Sequence, residues 1–174
     1  MPTMNLFFYV AAGVATVSVL AAITRLNAVH SLLYMVTSLL SVSLIFFVLG
    51  APYIAALQAI VYAGAIMVLF VFVIMMLNQG PQAAETERLW LSPKTWVGPS
   101  ILAGILLVEM AVLLRGDPAW LPGNRIVEPR EVSFALFGPY VLVIELASLL
   151  LLAGLIGAYH IGRREPNLPS SGAD

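Results

Sequence analysis

Five stretches of the chain are apolar at nearly every position and are separated by polar interruptions: Asn5–Ile23, Val29–Leu49, Ile54–Leu77, Val97–Leu114 and Phe137–His160. Each approaches or exceeds the roughly 20 residues that a helix rising about 1.5 Å per residue needs to cross a hydrocarbon layer of about 30 Å. Within the third stretch, Val68–Met75 is rich in Val, Phe and Ile and would suit a strand in water. Lipid reverses that preference, because a lone strand leaves its main-chain groups unpaired while a helix pairs them internally. The pattern predicts an all-α integral membrane protein with five transmembrane helices over residues 1–165 and no soluble domain. The tail 166–174, with two prolines, two serines and a glycine, reads as disordered. No basic n-region precedes the first span and four comparable spans follow it, so it is expected to be retained rather than cleaved.

The connections differ in kind. Thr24–Asn27 is tight, with Asn27 a candidate N-cap for the second helix, and Gly50–Tyr53 is equally short, so the first three helices are expected to be antiparallel neighbours. The third and fourth connections are longer and carry Gly80-Pro81 and Gly116-Asp117-Pro118. Lys and Arg place five residues on one side (Arg25, Arg88, Lys94, Arg163, Arg164) against three on the other (Arg115, Arg125, Arg130), favouring a periplasmic N-terminus and a cytoplasmic C-terminus. The chain shows no internal repeat, which disfavours an inverted-repeat transporter.

Composition sharpens this picture. Of 174 residues 61% are hydrophobic and 10% charged, where a soluble domain has about a quarter charged. The mean hydropathy is +0.99. The net charge of −1 is unsuited to nucleic acid. Without cysteine there can be no disulfide, iron–sulfur cluster or thiolate metal site, and His30 and His160 show no metal-ligand spacing.

Polar groups inside the spans then stand out. Ser31, Tyr34, Thr37, Ser38 and Ser41 recur at three or four residues and form one stripe of the second helix. Such a stripe lets helices approach and hydrogen-bond, at about 0.6 kcal/mol each; a path for protons or water is the other reading. In the third span, Ala59, Ala63 and Met67 line one edge with Gly64 beside them, and Gln58 and Tyr62 are four apart. Two readings are open: a tight packing seam, or a hinge able to change its winding, for instance through a π-bulge. Glu145, counted from Phe137, lies about 12 Å into the fifth span, near the bilayer middle. A charge there costs about 2.5–3.5 kcal/mol, so the carboxyl either stays neutral, bonded to a hydroxyl such as that of Ser148, or serves a proton path. Glu109, near the end of the fourth span, reads as interfacial. No nucleophile–base pair, metal cluster or phosphate-cradling loop is apparent, so catalysis by this chain alone is not expected.

The run Leu57–Asn78, "LQAIVYAGAIMVLFVFVIMMLN", with "NAVHSLLY" at Asn27–Tyr34 and "LFGPYVLVIELASLLLLAGLIGAYHIGRRE" at Leu136–Glu165, resembles the subunit J or chain 6 family of proton-pumping NADH:quinone oxidoreductase, respiratory complex I. The resemblance implies a bacterial inner-membrane subunit that couples electron transfer from NADH to quinone with proton translocation, a translocase component without a redox centre. NADH, FMN, the iron–sulfur clusters and quinone are implied to sit in other subunits, with subunits A, H, K and the antiporter-like subunits as neighbours. It also implies a π-bulge about Val61–Gly64 that rotates in turnover, and a buried coupling glutamate at Glu145. Two departures are visible: Asn27-Ala28 stands where many relatives have Asn-Pro, and Gln58 where some have glutamate, so Gln58 can hydrogen-bond but not titrate. The competing functions are a purely structural spacer in the same complex and a small independent permease.

Overall fold

The structure, a computed structural model, describes residues 2–25, 28–77, 93–115 and 126–163. Every regular element among the described residues is helical: α1 Pro2–Thr24, α2 Ala28–Val48, α3 Pro52–Leu57, π1 Gln58–Ile66, α4 Met67–Leu77, α5 Pro93–Arg115, α6 Pro129–Phe137 and α7 Val141–Gly162. Among the described residues five helical segments are long and apolar enough to cross a membrane: Asn5–Thr24, Ala28–Val48, Pro52–Leu77, Trp96–Arg115 and Val141–Gly162. The predicted cap Asn27, the segments 78–92 and 116–125, and the tail 166–174 lie outside the described residues.

The chain divides into two compact units, Met1–Glu128 and Pro129–Asp174. In the first, α1 packs along α2; α3, π1 and α4 form one rod against α2; and α5 packs on α2 and α1. Its apolar centre is Ala11 and Val14 of α1, Leu44 of α2 and Leu106 of α5. The turn from α2 into α3 is set by local chemistry. Gly50 has φ 84°, where only glycine avoids a steric penalty. The N–H of Gly50 donates to Phe47 O and that of Ala51 to Phe46 O, at 3.0 Å each, closing the orphan carbonyls of α2 in a Schellman motif. Pro52 then opens α3 at a position where its missing N–H costs nothing. The Gly50 carbonyl also accepts from Val127 N–H at 2.9 Å.

In the second unit the fifth span starts later than its hydropathy suggested. Gly138-Pro139-Tyr140 forms a turn between α6 and α7, with Tyr140 N–H donating to Ala135 O at 3.2 Å. Pro139 cannot donate and disfavours helical geometry at the residue before it, so an apolar run continuous in sequence is broken in space. The short helix α6 lies ahead of the apolar run and has no counterpart in the hydropathy pattern. Its signals are ordinary ones: Pro129 at its start and Glu131 in its first turn, where the helix dipole favours an acid.

Candidate functional site

The polar stripe of α2 resolves into specific bonds. Ser31 Oγ donates to Ala22 O at 2.7 Å, Ser38 Oγ to Ala15 O at 3.1 Å and Ser41 Oγ to Ala11 O at 2.5 Å. As the α2 number rises the α1 number falls in step, which is the register of two antiparallel helices in close contact. Thr37 Oγ1 turns back onto its own helix, to Leu33 O at 2.9 Å, and Ser43 Oγ donates to Ala55 O of α3 at 2.7 Å. Each of these hydroxyl protons is committed to a main-chain carbonyl, whose second lone pair accepts it without breaking the helix ladder. Tyr34 is buried, its ring lies under the Arg25 guanidinium at 5.4 Å, and its hydroxyl accepts from Arg25 Nη2 at 3.4 Å. Gly98 of α5 makes this possible, since a Cβ there would overlap the Tyr34 hydroxyl.

The third span contains a nine-residue π-helix, Gln58–Ile66, which includes Val61, Tyr62, Ala63 and Gly64. At its end the Met67 N–H is shared between Tyr62 O, five residues back, and Gly64 O. The winding has a packing correlate. Ala55, Ala63 and Met67 are the buried residues of this rod. In a continuous α-helix, at about 100° per residue, Ala55 and Met67 would lie roughly 120° apart around the axis; with one residue fewer between them, roughly 20°. The π-helix absorbs that one extra residue, so both ends of the span bury the same side. Gly64 is not a site of close helix approach within the described residues: a Cβ there would meet only Ala59 O, at 3.4 Å. Tyr62 is 52% exposed, and no hydrogen bond joins it to Gln58 among the described residues.

Glu145 is displaced from its expected depth. Because α7 begins at Val141, Glu145 stands four residues into the helix, about 6 Å along the axis, rather than at mid-span. It is exposed, and Ser148 Oγ donates to the main-chain oxygen of Glu145 at 2.7 Å rather than to its carboxyl. None of the residues of α7 is buried. Glu109 departs in the opposite sense. Expected at the interface, it is 5% exposed, and both carboxyl oxygens are enclosed without a hydrogen-bond partner among the described residues. The signal lay in its spacing: Leu102, Leu106, Glu109 and Leu113 share one face of α5, and Leu106 belongs to the apolar centre. A side chain on that face cannot reach water by extending along the helix.

No group of three or more His, Asp or Glu that could hold a metal occurs among the described residues. The chain is similar to known proteins over most of its length. A family profile described as NADH-ubiquinone/plastoquinone oxidoreductase chain 6 matches residues 18–161. NADH-quinone oxidoreductase subunit J of Pseudomonas aeruginosa is 56% identical over 163 residues, covering 93% of this chain and 98% of that protein. The protein of the same name from Escherichia coli K12 is 51% identical, covering 93% and 88% respectively. That from Buchnera aphidicola of Schizaphis graminum is 45% identical, covering 93% and 99%.

Proposed function

The chain belongs to the NADH-ubiquinone/plastoquinone oxidoreductase chain 6 family, and we propose that within that enzyme its π-wound third span is the moving part. It is a membrane-arm subunit of NADH:quinone oxidoreductase, and its partners are other subunits of complex I. Rewinding π1 to α geometry would turn α4 by about 100° relative to α3, the angular step of one residue. Met67, now buried, would leave its seat, and the side chains of α4 would be presented to different neighbours. A motion of that kind connects a change at one end of the subunit to hydration or protonation elsewhere in the membrane.

In this reading the subunit is a non-redox part of a proton-translocating oxidoreductase. It holds none of the NADH, FMN, iron–sulfur or quinone sites and performs no catalysis in isolation, in keeping with the absence of cysteine. It lies in the bacterial inner membrane with a periplasmic N-terminus, as the five-against-three distribution of Lys and Arg supports. Subunits A, H, K and the antiporter-like subunits are its proposed neighbours. Glu145 is the proposed coupling carboxyl, supported by the resemblance of its surrounding sequence rather than by its depth.

The observation that carries this reading is the π-helix itself, placed where the family resemblance puts a bulge. The rival reading, a structural spacer, treats the same winding as a fixed register correction. Gly64→Val separates them. A β-branched residue is stiff at χ1 and restrains rewinding, while its Cβ would meet Ala59 O at 3.4 Å, so the variant is expected to assemble while protons pumped per NADH oxidised decrease. A variant complex that assembles and pumps normally would favour the spacer.

A further inference from the structure

Among the described residues of the first unit, Glu109 is the one enclosed carboxyl, and the winding of the third span does not involve it directly. Burying an ionisable group without a partner is costly, and an apolar residue would serve packing better at that position. The groups facing it supply no compensating charge. On α1 the titratable side chain between residues 5 and 24 is Tyr9, which is 70% exposed. On α2 they are His30, fourteen residues before Leu44, and Tyr34, which lies against Gly98, eleven residues or about 16 Å from Glu109 along α5. On α5 itself Lys94 is fifteen residues earlier, and Arg115, six residues later, is exposed on a different face.

A groove of about 540 Å³ runs between α2, π1 and α5, lined by Leu40, Leu44, Ala59, Leu106 and Met110 among others; Glu109 does not line it but stands on α5 between Leu106 and Met110. Leu44 and Leu106 belong both to the groove wall and to the buried centre, so they form the partition between the groove and the face on which Glu109 stands. Ala59 brings π1 to the opposite wall. Ala59, the second residue of π1, is the point at which the third span meets the groove.

We propose that Glu109 is a proton-binding site in the membrane interior, exchanging its proton with water admitted along the groove between α2, π1 and α5. The inference rests on the coupling reading above and adds a second titrating group to it. While the groove holds only apolar matter, the Glu109 carboxyl keeps its proton. When rewinding of π1 moves Ala59 and lets water pass the Leu44–Leu106 partition, the Oε–H gives that proton to water, leaving carboxylate and hydronium. The return step reverses the transfer, and no electron is involved.

The test uses the intact wild-type complex in liposomes, treated with dicyclohexylcarbodiimide, which reacts with protonated carboxyls in apolar surroundings. Labelling of the Glu109 peptide is measured by mass spectrometry across a pH series, at rest and during NADH:quinone turnover. Labelling is expected to fall several-fold as pH rises and to differ between rest and turnover. No labelling at any pH, or labelling indifferent to pH or to turnover, overturns the proposal. In a second arm, Glu109→Gln is expected to lower protons pumped per NADH and Glu109→Asp to restore part of the loss; wild-type pumping in Glu109→Gln overturns the proposal. The two readings fail separately. Turnover-dependent labelling of Glu109 alongside normal pumping in Gly64→Val removes the winding change and keeps the proton site, whereas reduced pumping in Gly64→Val with unresponsive Glu109 does the reverse.

Discussion

Gly98 and Glu145 show what single residues decide in this chain. Gly98 has no special backbone angle to satisfy; it is small because the Tyr34 hydroxyl occupies the space a Cβ would need. Gly98→Ala is expected to push Tyr34 off its position under Arg25 and destabilise the subunit by about 1–3 kcal/mol, the usual cost of overpacking. A lower thermal transition of the assembled complex would show it, and an unchanged one would mean Tyr34 moves freely. At Glu145, Glu145→Gln is expected to retain more proton pumping than Glu145→Ala, since the amide keeps hydrogen-bonding capacity; equal and unimpaired pumping in both would take Glu145 out of the coupling path. Residue-level placement was only partly legible. The serine stripe could be read because its spacing is the period of a helix, and its partners are the nearest available carbonyls. The burial of Glu109 runs against its position near the end of the fourth span, which suggests the interface; its spacing from Leu102, Leu106 and Leu113 is what places it inward.

At the scale of elements, the third span is the part whose sequence under-determines its shape. Gly64 and the small residues beside it announce a weak helix, but π winding follows from a register requirement visible only once Ala55 and Met67 are known to face the same way. Deleting Ala65 should supply that register without a π-turn, because removing one residue brings Ala55 and Met67 to within about 20° in plain α geometry. The shortened subunit is expected to assemble but to lose pumping per NADH, since it has no second winding to adopt. Normal pumping would make π1 a static correction. The end of the fourth connection gave the opposite error. Hydropathy ran unbroken from Phe137, yet Gly138-Pro139 cut it, moving the start of α7 to Val141 and Glu145 toward its end. Proline geometry outranks composition there.

For the whole molecule, the all-helical fold and five spans were legible because lipid leaves few alternatives: a sequence this apolar must pair its own main chain, and length selects helices that cross. What the chain touches is a different matter. The first unit has a buried seam with named bonds, whereas the second has no buried residue in either of its helices. Side chains such as Leu150, Leu151 and Ile161 must be covered by lipid or by other subunits, and an isolated sequence carries no record of which. The function follows the same division. Family membership comes from matched sequence, while the proposed moving part is one irregular helix with a groove along it.

The most direct measurement is a structure of the complete complex at rest and during NADH:quinone turnover, compared at Gln58–Ile66. Two populations are expected, one with this segment wound as a π-helix and one as an α-helix, with Met67 rotated by about 100° between them. A segment with the same winding and the same Met67 position in every population would contradict that expectation.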